Sequence, residues 1–180
     1  MQNDDIQQII DGCMANDAKC QRLLYDRYSP RFYALCRRYA CDEMLAEDIL
    51  TEGFLTIFRT ISQYRGDGNI EAWMRTIYVR TAIHHYRQQQ RLPQQSMEEI
   101  PEKALLGDSG NEDSLDLRNT LQMALSHLDD GQRTLLNLIA VDGYQFNEVA
   151  QMLGTAESTV KSRYYSACQQ MRKILGETTI

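Results

Sequence analysis

Apolar residues recur along this chain at the three- and four-residue steps of an α-helix, with no convincing strand alternation, so the pattern predicts an all-α protein. Near the C-terminus Phe146, Val149, Ala150 and Leu153 share one helix face at i, i+3, i+4 and i+7, and Val160, Tyr164, Ala167 and Met171 share a second. Gly154 lies between them, the residue type best able to take the left-handed conformation that ends a helix and turns the chain sharply. The stretch is a helix-turn-helix, a unit whose second helix can enter the DNA major groove while the first braces it. That second helix would present Glu157, Ser158, Lys161, Ser162, Arg163 and Tyr165 away from its apolar face. An ordinary helix hairpin packed in a core gives the same pattern, so the rest of the chain has to decide.

In chain order, Ile6, Ile9, Ile10, Cys13 and Met14 form the stripe of a first helix, with Asn3, Asp4 and Asp5 placed for capping and for the positive end of its dipole. A second helical stretch over residues 19–39 turns Leu23, Leu24, Tyr28, Phe32, Leu35 and Tyr39 inward, and Ser29-Pro30 predicts a kink or break within it. A third, over 42–61, carries Leu45, Ile49, Phe54, Leu55, Ile57 and Phe58, with Glu43, Glu47, Asp48 and Glu52 on its other side. Residues 64–69 hold two glycines and read as a tight turn; a fourth helix follows over 70–89, inward at Ile70, Trp73, Met74, Ile77 and Tyr78.

After Arg91 the periodicity stops. Residues 92–110 contain two prolines, two glycines and few aromatic or β-branched residues, the composition of a linker. Helix resumes near Asn111 with Leu117, Leu121, Ala124, Leu125 and Leu128 inward, pauses at Asp129-Asp130-Gly131, continues through Leu135, Leu138 and Ile139, and ends at Asp142-Gly143. The expected organisation is two small helical domains, 1–91 and 111–180, joined by an acidic flexible linker over 92–110, with the helix-turn-helix in the second.

Charge refines this picture. The net charge of -6 argues at first against a nucleic-acid partner, but the chain is segregated. Residues 72–91 carry Arg75, Arg80, Arg87 and Arg91 with no acid, whereas residues 92–118 set Glu98, Glu99, Glu102, Asp108, Glu112, Asp113 and Asp116 against only Lys103 and Arg118. Arginines interleaved with Trp73 and Tyr78 beside a glycine-bearing loop suit single-stranded nucleic acid, where cations track phosphates and aromatic faces receive unstacked bases; a solvated arginine face over a core Trp and Tyr is the plainer alternative. No apolar run nears the roughly 18 residues needed to span a bilayer, so no membrane insertion is expected. The acidic N-terminus lacks a signal-peptide core, which points to a cytoplasmic protein. Five cysteines, Cys13, Cys20, Cys36, Cys41 and Cys168, fit reduced, partly buried thiols better than a disulfide framework. Cys36, Cys41, His84 and His85 lack the paired spacing of a structural zinc site, and no phosphate loop or nucleophile elbow is present, so neither metal, cofactor nor enzymatic activity is expected.

Three blocks in order, AEDILTEGFLTIF from 46 to 58, QYRGDGNIEAWMRTI from 63 to 77, and LDDGQRTLLNLIAVDGYQFNEVAQMLGTAESTVKSRYYSA from 128 to 167, resemble bacterial RNA polymerase sigma factors of the extracytoplasmic-function (ECF) group of the sigma-70 family. The resemblance covers nearly the whole chain except the linker. It implies a first domain (region two) that binds the clamp of core RNA polymerase and captures the minus-ten promoter element, and a second (region four) that binds the polymerase flap and reads the minus-thirty-five element. Carried over by motif, Glu47, Asp48, Thr51, Glu52, Leu55 and Phe58 would face core polymerase. Tyr64, Arg65, Asp67, Asn69 and Trp73 would line the site for a flipped base, whose unstacking they must repay with stacking and edge hydrogen bonds. Arg80, His84, Arg87 and Arg91 would continue along minus-ten DNA, and Glu157, Ser158, Thr159, Lys161, Ser162, Arg163 and Tyr165 would meet the minus-thirty-five element. The linker would run through the active-site channel toward the RNA exit path, its charge mimicking RNA. An anti-sigma factor is a further expected partner.

The chain also departs from the family. Arg80 and His84 stand where an Asn and often an Asp occur, which alters the minus-ten preference without reducing affinity for a polyanion. Thr159 to Arg163 keeps the usual TVKSR, but Ser166 and Cys168 replace two common arginines, so fewer phosphate contacts should follow. Ala156 replaces a capping serine, so either Thr155 caps the helix or about 1 kcal/mol of local stability is lost. Two other functions suit the same residues: a free-standing regulator with a LuxR-like helix-turn-helix, and a helical protein-interaction module that never touches DNA.

Overall fold

The structure, a computed structural model, describes residues 2–40, 42–66, 69–90, 124–125 and 127–178. All regular structure among them is helical: α1 (Gln2–Met14), α2 (Ala18–Tyr39), α3 (Glu43–Thr60) with a 3₁₀ turn at Ile61–Gln63, α4 (Ile70–Gln89), α5 (Asp130–Leu136) running into a π turn at Asn137–Val141, α6 (Phe146–Leu153) and α7 (Glu157–Thr178). The chain divides into two compact units, Met1–His85 and Tyr86–Ile180. The expected linker, the helix over 111–123, and Cys41, Asp67, Gly68 and Arg91 lie outside the described residues.

In the first unit, Asp and Asn side chains start three of the four helices. Asp17 accepts from the Lys19 backbone N–H at 2.7 Å, Asp42 from Leu45 at 2.7 Å and Asn69 from Glu71 at 2.9 Å, each satisfying a donor that helix geometry leaves orphaned. The core collects Ile10 and Cys13 from α1, Leu24, Phe32, Leu35 and Cys36 from α2, Ile49, Phe54 and Ile57 from α3, and Met74, Tyr78, Val79, Ala82 and Ile83 from α4. Tyr78 is its centre. Its ring stacks on Phe32 at 4.4 Å and meets Phe54 edge-on at 5.8 Å, contacts worth ~0.5–1.5 kcal/mol each beyond their buried area. Burial pushes the phenol pKa far up, so the hydroxyl stays neutral and donates to the Leu50 carbonyl at 3.4 Å.

Several expectations from periodicity need correction. Pro30 neither ends nor splits α2, which runs unbroken from Ala18 to Tyr39. Proline removes one backbone donor, and packing of Leu24, Phe32, Leu35 and Cys36 on both sides of it outweighs that loss. Met14, Leu23 and Leu55, expected inward, are exposed. Met14 lies at the edge of its apolar stripe, whereas Leu23 and Leu55 lie on the sides of α2 and α3 that point away from the buried residues of those helices.

In the second unit Asp129 and Gln132 form a reciprocal capping box at α5, with bonds of 2.8 and 3.2 Å. Arg133, its side chain only 12% exposed, pairs with Asp130 at 3.0 Å and donates to the carbonyls of Leu125 and Leu128 at 3.3 and 3.1 Å. This one guanidinium ties the start of α5 to the chain before it. Leu128, Leu135, Leu138, Val149, Ala150, Val160 and Ala167 make the core. Gly154 adopts φ 66°, ψ 37°, the left-handed turn its position between the two helix faces predicts. Ala156 occupies the cap position of α7, its carbonyl accepting from the Thr159 and Val160 N–H groups, so Thr155 does not take that place; Glu157 in the first turn supplies the negative charge that favours a helix start.

Gly53 on α3 faces the Tyr78 ring so closely that a methyl group there would overlap it. Gly53→Ala is therefore expected to destabilise the first unit by about 1–3 kcal/mol through overpacking. Urea unfolding checks this; an unchanged midpoint would mean that the two helices do not meet as closely as described.

Candidate nucleic-acid interface

Three exposed or half-exposed faces carry the residues singled out in the sequence. The first is α4. Trp73, Arg80, His84 and Arg87 are spaced by seven, four and three residues and so share one side of the helix; Trp73 is half-buried and the other three are exposed. The Tyr64 ring lies 5.7 Å from that of Trp73, tilted by 50°, which places an aromatic pair at the start of a row of cationic and imidazole side chains. Arg65 and Asn69 are exposed beside it, and Gly66 turns the loop at φ 73°. The Asn69 side-chain oxygen accepts one bond in capping α4, and its amide group can donate to a ligand.

The second face is the outside of α3. Glu47, Asp48, Thr51 and Leu55 are exposed, Glu52 and Phe58 half-buried. Met44, which the sequence reading passed over, is 72% exposed, and Leu55 is 57% exposed. Residues 44, 48, 51 and 55 follow helical spacing, so two bare apolar side chains bracket an acid and a hydroxyl on one strip. Spacing alone could have found Met44. It could not have found His85, whose Nε2 lies 2.7 Å from Glu52 Oε2 and ties this strip to α4 across 33 positions of sequence.

The third face is on α7, the second helix of the helix-turn-helix. Glu157, Ser158, Thr159, Lys161, Ser162, Arg163 and Tyr165 are all exposed, as the helix pattern predicts, while Val160 and Ala167 hold the helix to the core. Lys161 pairs with Glu157 at 2.6 Å, and that hydrogen-bonded carboxylate pushes the ammonium pKa up. The Lys161 ammonium also lies 5.7 Å from the centroid of the Phe146 ring.

Two helical units, the second ending in a helix-turn-helix, are an architecture found among modular nucleic-acid-binding proteins. Comparison with known proteins narrows it. The family model of Sigma-70 region 2 matches residues 24–92 and that of Sigma-70, region 4 matches 118–171. The RNA polymerase sigma-H factor of Pseudomonas aeruginosa is 25% identical over 94% of this chain and 93% of its own length. The ECF RNA polymerase sigma-E factor of Salmonella typhimurium is 26% identical, covering 89% of each chain. The fold resembles that of the sigma factor RpoE solved in complex with the anti-sigma factor NepR from Bartonella quintana, with a TM-score of 0.50 and 21% identity over 86% of this chain and 96% of that one. The two matched regions together span well over half of the sequence, and the chain belongs to the ECF type of the sigma-70 family. Members of this family are non-enzymatic initiation factors that bind core RNA polymerase and promoter DNA.

Among the described residues no cluster of His, Cys, Asp and Glu could hold a metal ion, and no helix is long and apolar enough to cross a membrane. Burial pushes the Cys36 thiol up to about 12 and, with smaller contributions from Cys20 and Asp17, the Cys13 thiol to about 11. Only the thiolate is a nucleophile, so at pH 8 these two hold ~0.1% or less of the reactive form. Iodoacetamide applied to the folded protein at pH 8 is expected to label the partly exposed Cys20 and Cys168 well ahead of Cys13 and Cys36, as read by peptide mass spectrometry. Equal labelling of Cys36 would contradict its burial.

Proposed function

We propose that this chain is a promoter-specificity subunit of bacterial RNA polymerase, acting in the cytoplasm, that reads the minus-ten element with its first domain and the minus-thirty-five element with its second. In this reading residues 1–91 and 111–180 are the two readers, and the acidic 92–110 segment is the connector through the polymerase channel. The observation that carries the proposal is that each matched region presents one exposed, DNA-suited face. In region two it is the Tyr64–Trp73 ring pair continuing into Arg80, His84 and Arg87; in region four it is the outer side of α7.

The outer strip of α3 suits core polymerase. Met44 and Leu55 offer apolar area while Glu47 and Asp48 offer charge, the combination that fits a partner with arginines around an apolar strip. The pair to His85 fixes the direction of Glu52 before any partner arrives. An anti-sigma factor would regulate the protein, as NepR pairs with the Bartonella RpoE.

In vitro transcription with purified core polymerase on genomic DNA fragments tests this. Start sites that depend on the added protein are expected. If none emerges while a known sigma factor works in parallel, the proposal fails. Tight duplex binding without polymerase would then favour a LuxR-like regulator. Full activity after removal of Lys161 and Arg163 would favour a protein-interaction module.

On a promoter found in this way, Arg80→Ala and Arg87→Ala are each expected to weaken open-complex formation and to lower the slope of log affinity against log salt by about one. A salt titration of both variants decides. An unchanged slope would remove that arginine from the phosphate contacts.

A further inference from the structure

We propose that Phe146, a residue of the bracing helix, is a positioning residue for the recognition helix: its ring sets where Lys161 stands when region four reads DNA. Periodicity assigns Phe146 to the core-facing stripe of α6 with Val149 and Ala150. The structure separates it from them. Val149 and Ala150 are buried, whereas Phe146 is half-exposed at the rim of the unit.

From that rim its ring meets three residues of α7. Tyr164 lies edge-on at 5.5 Å and 76°, Tyr165 at 6.2 Å and 37°, and the Lys161 ammonium at 5.7 Å from the ring centroid. Residues 161, 164 and 165 stand at i, i+3 and i+4, so they form one strip of α7, and the first residue of α6 serves the whole strip.

Lys161 is thereby held by two partners of different kinds. One helical turn back, Glu157 takes the ammonium at 2.6 Å; from the neighbouring helix, the Phe146 ring attracts it through its negative π face. A lysine on its own samples many rotamers and must lose that freedom on binding. One already held against a ring loses less, so its contribution to DNA binding rises without any new contact to DNA. The aromatic ring is essential to this: leucine keeps most of the volume but has no quadrupole to hold a cation.

The inference rests on the promoter-reading role of α7, and two measurements keep the two ideas apart. The first uses the full chain with core polymerase on its promoter. Phe146→Leu is expected to weaken promoter binding about two- to five-fold, the range of an exposed cation–π contact, while Phe146→Tyr stays near wild type. In a Lys161→Gln background the Phe146→Leu effect should shrink by at least half, since the partner it positions is gone. Full additivity of the two changes, or a Phe146→Tyr variant as weak as Phe146→Leu, overturns the proposal.

The second measurement needs no promoter. Proton NMR of the free protein should show the Lys161 ε-methylene resonances shifted upfield by the Phe146 ring current, retained in Phe146→Tyr and lost in Phe146→Leu. Unshifted resonances in the wild type overturn the positioning role. If the resonances are shifted but no protein-dependent transcription occurs, the bracket exists and only the promoter reading falls.

Discussion

The first unit depends on the close approach of α3 and α4 at Gly53 and Tyr78. Because position 53 has no side chain, the Tyr78 ring can lie against the α3 backbone, stack on Phe32 of α2 and abut Phe54 at once. Two consequences reach the surface. The exposed strip of α3 and the row of Trp73, Arg80 and His84 on α4 stand on helices that share one aromatic centre, so neither helix can rotate without disturbing the other. The Glu52–His85 pair adds a second tie between the same helices near the solvent. Under the proposed roles, binding at one face and reading at the other would use a common rigid support, which is what preorganised recognition requires.

Charge is the second organising constraint. A chain of net charge -6 presents its cations where they are concentrated by helical spacing: Arg80 and Arg87 on one side of α4, Lys161 and Arg163 on the exposed side of α7. Many of its acids lie on the outside of α3 and in the connecting segment, although Glu157 stands beside Lys161 on α7. Long-range repulsion of a polyanion by net charge is screened within about 10 Å at ordinary salt, so the local rows decide binding. Ser166 and Cys168 stand just after Arg163, so on the proposed reading region four would make few phosphate contacts there. On that reading α7 would gain most from good placement of the side chains it has, and from a second reader held on the same polymerase.

The helical faces, the turn at Gly154 and the order of the motif blocks were all readable in the sequence. The Asp17 and Asp42 caps follow from a short polar side chain that accepts from its own helix start. These are local properties. Of the kink or break expected at Pro30, the break does not occur, because the loss of one hydrogen bond is local, whereas the packing that keeps α2 continuous comes from other helices. Leu23 and Leu55 were assigned inward because they are apolar, yet helical spacing sets each on the side of its helix away from the buried residues.

The sequence by itself determined the helices, their capped starts, the sharp turn before the recognition helix and membership of the sigma-70 family, because each is written in spacings of a few residues or in motif order. Only the tertiary structure decided that Met44 and Leu55 stand bare beside the acids, that His85 holds Glu52, that a glycine seats Tyr78, and that Phe146 leaves the core to bracket Lys161. Each of these joins residues on different helices or selects which edge of a stripe is covered. That is a property of how helices pack, which no single helix encodes.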